Sequence, residues 1–131
     1  MKIITGIKAL CGLTTSVLSY LFGGLDMLLS VLVFCIVTDY ISGVMAALYE
    51  KKLNSERGFK GILKKIAILT VVALAYQIGR ATGAVAIRDC VIGFYIANEG
   101  ISILENCGRM ELPVFSGLKD ILEQLRHKDT K

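Results

Sequence analysis

Two carboxylates occupy stretches of the chain that otherwise avoid charge. Asp39 is the sole charged residue between Met27 and Tyr49, and Glu99, beside Asn98, lies within an apolar run that ends near Leu104. Paired carboxylates can carry acid–base catalysis, one taking a proton while the other gives one. That chemistry needs company, and no activated nucleophile, metal-ligand spacing or phosphate-binding glycine loop accompanies them. His127 is the single histidine and falls in a polar, solvated tail. No catalytic, cofactor or metal residue is therefore assigned, and the chain is not expected to be an enzyme.

The other chemistry open to such residues is hydrogen bonding inside hydrocarbon. A charged side chain at the centre of a bilayer-spanning helix costs roughly 2.5–3.5 kcal/mol by insertion scales, so Asp39 is expected to face protein or water. Ser42, Gly43 and Ala47 flank it at helical offsets, and Gly43-x-x-x-Ala47 is a spacing that lets helices approach closely in a membrane. Ser102, Glu105 and Asn106 follow Asn98 and Glu99 by one and two turns. These nine residues form a candidate helix-contact or pore-lining set. Contacts within one chain, between subunits and with water are all open to them.

The elements that position this set follow from composition. Of 131 residues 54% are hydrophobic and 20% charged, and mean hydropathy is +0.63. That is more apolar surface than a small water-soluble core hides. The apolar residues run in long blocks, which predicts an all-α integral membrane protein of helical hairpins whose backbone groups are satisfied internally. Residues 27–49 are long enough to cross about 30 Å of hydrocarbon. A second span is expected over 66–80, short enough that Lys64, Lys65 and Arg80 lay their stems along it in a locally thin bilayer. A turn over Gly79–Gly83 leads to a third span over 84–105.

Between the first two spans, residues 50–65 form a basic loop. Lys51, Lys52, Arg57, Lys60, Lys64 and Lys65 outnumber Glu50 and Glu56, which assigns the loop to the cytoplasm. Asn54 or Ser55 is placed to cap the helix that follows. The tail, 106–131, then also lies inside; beyond Pro113 it carries Leu118, Ile121, Leu122 and Leu125 on one face of a short charged helix, an element suited to docking or oligomerisation. The first 25 residues predict an amphipathic helix with Thr5, Lys8, Gly12, Thr15, Ser16 and Ser19 on its polar side, ended at Gly23 and Gly24. It is able to lie in the interface, to insert on assembly, or to form a fourth span. The start is read as retained, with no cleavage site before the next apolar run.

The net charge of +4 gathers at run boundaries, where it meets lipid headgroups rather than nucleic acid. Cys11, Cys35, Cys90 and Cys107 have neither disulfide-like nor metal-like spacing and are expected to be reduced and structural. The whole is read as a single domain.

Three stretches, in order, resemble the bacteriophage holins of the toxin-secretion and phage-lysis group, which include the clostridial toxin-release holin. They are Asp39-Tyr40-Ile41-Ser42-Gly43 with Ala46-Ala47; Leu53-Asn54-Ser55 with Gly58, Lys60-Gly61 and Lys64-Lys65; and Phe94 through Asn106, leading to Pro113 and the Leu118-to-Leu125 helix. Glu111-Leu112 departs from the Gly-Val-type pair expected before the proline. The resemblance implies a three-span protein of the bacterial cytoplasmic membrane that assembles with copies of itself into lesions. Its partners are then the bilayer and itself, and an endolysin or toxin leaves through the lesion without specific binding.

Overall fold

A computed structural model describes residues 1–128, and among them are five α-helices and no strand: α1 (Lys2–Phe22), α2 (Met27–Tyr49), α3 (Ser55–Thr82), α4 (Ile87–Arg109) and α5 (Ser116–Lys128). Each boundary has a local cause. Gly23, at φ +81°, takes the left-handed conformation and gives its N–H to the Ser19 carbonyl at 2.9 Å, closing α1. The Asp26 carboxylate accepts the Leu29 N–H at 2.9 Å and opens α2. Asn54 accepts the Glu56 N–H at 2.8 Å and opens α3, which ends on left-handed Gly83.

Several boundaries differ from those the sequence predicts. Residues 55–65, counted above with the basic loop, are the first three turns of α3, opened at the expected Asn54 cap and propagated by Lys, Arg and Leu. The connection shrinks to residues 50–54, and α3, with 28 residues, is about 42 Å long. Helix also continues through the expected turn at Gly79 as far as Thr82, and residues 106–109 belong to α4 rather than to the tail.

Helix α4 is central: it packs against α2, α3 and α5, whereas α2 and α3 meet over only a short stretch. Leu29, Leu32 and Ile36 of α2 join Ile68 and Val72 of α3 and Ile92 of α4 in one buried cluster, with Leu32, Val72 and Ile92 wholly enclosed. The spacing of the α2 residues is that of a helical stripe. The opposite faces expose Phe34, Val37, Ile41 and Met45 on α2 and Ile66 and Leu74 on α3. By length and composition α1, α2 and α3 are able to cross a membrane. Helix α4 is long enough, yet Arg88, Asp89, Glu99, Glu105 and Arg109 make it too polar to qualify. Its place among three other helices accounts for this, since Arg88, Glu99 and Asn106 turn inward and are buried.

Helix α1 stands apart, with no buried residue. Its end meets the end of α3, where Gln77 Nε2 donates to the Tyr20 carbonyl at 2.7 Å. There the Arg80 guanidinium lies 5.3 Å from the Tyr20 ring centre and 5.8 Å from that of Tyr76. Helix α5 folds back on α4, its Leu122 seated on Gly100.

Candidate functional site

Lys65 lies about 15 Å into α3 from its first residue, at the depth where α2 presents Asp39 and α4 presents Glu99. Its Nζ donates to Asp39 Oδ2 and to Glu99 Oε2, tying three helices at one point. The side chains of Lys65, Asp39 and Glu99 are only 16%, 10% and 4% exposed. Asn106 completes the network: its Nδ2 donates to Asp39 Oδ1 at 3.1 Å and to Ser42 Oγ at 3.0 Å. Ser42 Oγ donates in turn to the Asp39 carbonyl at 3.0 Å. Among the described residues no buried side-chain nitrogen or oxygen lacks a partner. One lysine serves two carboxylates.

A second cluster closes the far end of the bundle. Arg88, at the start of α4, donates to Asp26 at 2.8 and 3.1 Å, to Asp89 at 2.9 Å, and to the carbonyls of Phe22 and Gly24 at 2.7 and 3.3 Å. It thereby satisfies backbone acceptors left over at the end of α1 and pins the α1–α2 turn to α4. The guanidinium holds the Asp26 carboxyl below its ordinary value, with the Leu29 N–H adding to the effect. At the loop end, Arg109 donates to both oxygens of Glu50, at 3.2 and 2.9 Å, and this lowers the Glu50 carboxyl likewise.

Beside the triad, between α2 and α3, opens a cleft of about 650 Å³. Gly43, Ala47, Asn98 and Ser102 line it together with the triad. Gly43 and Ala47 are half-buried; Gly43 makes room for Asn106 of α4, whose Nδ2 would lie 3.5 Å from a Cβ there, and both residues border the cleft. Glu105 is exposed on another face and takes no part.

The basic residues divide into three groups. Lys65, expected at the membrane boundary, instead turns inward from the eleventh residue of α3 to meet Asp39 and Glu99. Lys52, Arg57 and Lys64 rim the cleft. Lys51 and Lys60 do not, and Lys60 pairs with Glu56 one turn away at 2.8 Å. On α1 the hydroxyls of Thr5, Thr15 and Ser16 bond to carbonyls of their own helix, and Lys8, Gly12 and Ser19 are exposed. All four cysteines are unpaired.

Sequence reasoning marked Asp39 and Glu99 as residues in need of partners but did not find Lys65 as the partner. It also passed over the Asp26–Arg88 cluster. The available signal was an arginine at the start of an apolar run and an aspartate between two others. The triad offers hydrogen bonding and charge. Among the described residues no group of His, Cys, Asp and Glu is arranged to hold a metal ion.

No solved structure matches the chain. An uncharacterized protein of Listeria innocua is 54% identical over 108 residues, covering 82% of this chain and 77% of its own. An uncharacterized 14.9 kDa protein of Clostridium perfringens is 40% identical over 112 residues, covering 84% and 85%. An uncharacterized protein of Halalkalibacterium halodurans is 39% identical over 120 residues, covering 86% and 88%. Residues 16–127 match the bacteriophage holin family, a span that holds the triad, the Arg88 cluster and all of α2 through α4. The chain belongs to that family.

Proposed function

We propose that the protein permeabilises the bacterial cytoplasmic membrane by assembling with copies of itself, so that an endolysin, or a toxin, leaves the cytoplasm. The observation that carries this reading is the Asp39–Lys65–Glu99 triad. A bundle whose helices are joined by polar contacts in hydrocarbon can exchange those contacts for equivalent ones between subunits, and the new arrangement can surround water. Helices α2, α3 and α4 span, the short basic connection before α3 lies in the cytoplasm, and α5 follows on the same side. The Arg88 cluster then faces outward, and α1 either spans or lies along the outer lipid layer.

Inducible expression in a bacterium with and without a cytoplasmic endolysin tests the proposal. Abrupt lysis that depends on the endolysin is the expected result. Steady leakage of small ions without lysis favours a second reading, a selective cation or proton channel, for which the two buried carboxylates are the supporting observation.

A further inference from the structure

The cleft between α2 and α3 is graded along its length. Among the α3 residues that line it, Arg57, Gly61, Lys64, Ile68 and Val71 are spaced by four, three, four and three, with Gly58, Lys65 and Ala67 beside them, so one face of the helix passes from cationic to apolar over about 21 Å. Lys52 adds a further positive charge at the cationic end, and Val44 and Tyr95 add apolar wall. Arg109 is held by Glu50, and Lys65 is consumed by the triad. Among the described residues Lys52, Arg57 and Lys64 form no salt bridge, although Lys52 lies near enough to Glu50 to help lower its carboxyl, and all three face the same space.

We infer that this cleft binds one anionic phospholipid of the surrounding bilayer, its phosphate held by Lys52, Arg57 and Lys64 and an acyl chain lying against Ile68 and Val71. A volume of about 650 Å³ lies within the range of about 300–1,000 Å³ usual for small-molecule sites. It admits little more than one turn of a helix about 10–12 Å across, so a second copy fits poorly. A symmetric contact between copies also sets these same cations against one another. Gly61 keeps the middle of the cleft open: a Cβ there meets only the Tyr40 ring, at 3.7 Å, and a longer side chain points into the space. The inference requires only that the chain sits in a bilayer. It stands or falls separately from the lysis experiment.

The test uses native mass spectrometry of the full chain in detergent with equal amounts of phosphatidylglycerol and phosphatidylcholine of the same acyl chains. The wild type should retain phosphatidylglycerol preferentially. Arg57→Gln with Lys64→Gln should lower that retention about fivefold for each charge removed. Lys51→Gln with Lys60→Gln, which removes the same charge outside the cleft, should change it less than about twofold. Gly61→Leu, checked for unchanged helicity by circular dichroism, should reduce retention of both lipids. Equal retention of the two lipids by the wild type overturns the proposal. So does an equal loss in the Lys51/Lys60 control, which indicates diffuse attraction, or displacement of the lipid by millimolar inorganic phosphate, which indicates a free-anion site. A lipid-free dimer broken by Gly61→Leu assigns the cleft to a second copy instead.

Discussion

Lys65 stands between two carboxylates that its removal would leave facing each other without a cation. Lys65→Met should therefore destabilise the bundle by about 3–5 kcal/mol, the usual cost of breaking a buried ion pair from one side. Adding Asp39→Asn and Glu99→Gln to that variant should recover most of the loss, because neutral amides can hydrogen-bond where two anions cannot. Thermal unfolding in detergent checks both. Asp39 and Glu99 were legible in the sequence, since a charge in an apolar run demands a partner. Lys65 was not: it lies 26 and 34 residues from its two partners and looks like one more charge in a basic stretch. Asp26 gives a pH dependence of defined sign. Its carboxyl is held below the ordinary 3.8, so its contribution is present above that value and disappears as pH falls through the lower folded value. The decline in melting temperature below about pH 4 should be shallower in Asp26→Asn than in the wild type.

Helices that the hydropathy pattern divides into loop and span are continuous in the structure. The charged turns of α3 could not be read as helix from apolar periodicity, because their inward face carries Gly58, Gly61 and Lys65 rather than an apolar stripe. Helix α4 presents the reverse case: its polar residues are legible as unusual, and packing on three neighbours explains how they are tolerated. For α1 the sequence left three placements open, and the structure ties only its end. Gly23 is the hinge. Its φ is +81°, and a Cβ on it would come within 2.6 Å of the Tyr76 ring. Gly23→Ala should cost about 1–3 kcal/mol in backbone strain and loosen α1 from α3. The yield of a cross-link between Tyr20→Cys and Gln77→Cys, in a background without the four native cysteines, should fall accordingly.

At the scale of the whole molecule, the fold is an assembly of helices with exposed apolar surfaces and an internal set of charges, joined at three levels by Arg88, Lys65 and Arg109. The overall helical membrane class was legible because it depends on composition and run length; the order of packing was not, because α4 sits between helices that are adjacent in sequence. Moving one charge across 100 mV is worth about 2.3 kcal/mol, comparable to one or two of the hydrogen bonds that hold the triad. Adding an uncoupler to cells that express the protein and an endolysin should advance lysis, as read by culture density; unchanged timing removes membrane potential from the account. The most direct measurement of the triad's part is the onset of endolysin-dependent lysis in Asp39→Asn and Glu99→Gln variants, with their membrane levels matched to the wild type. The account predicts that the onset shifts in both. Wild-type onset in both would contradict it.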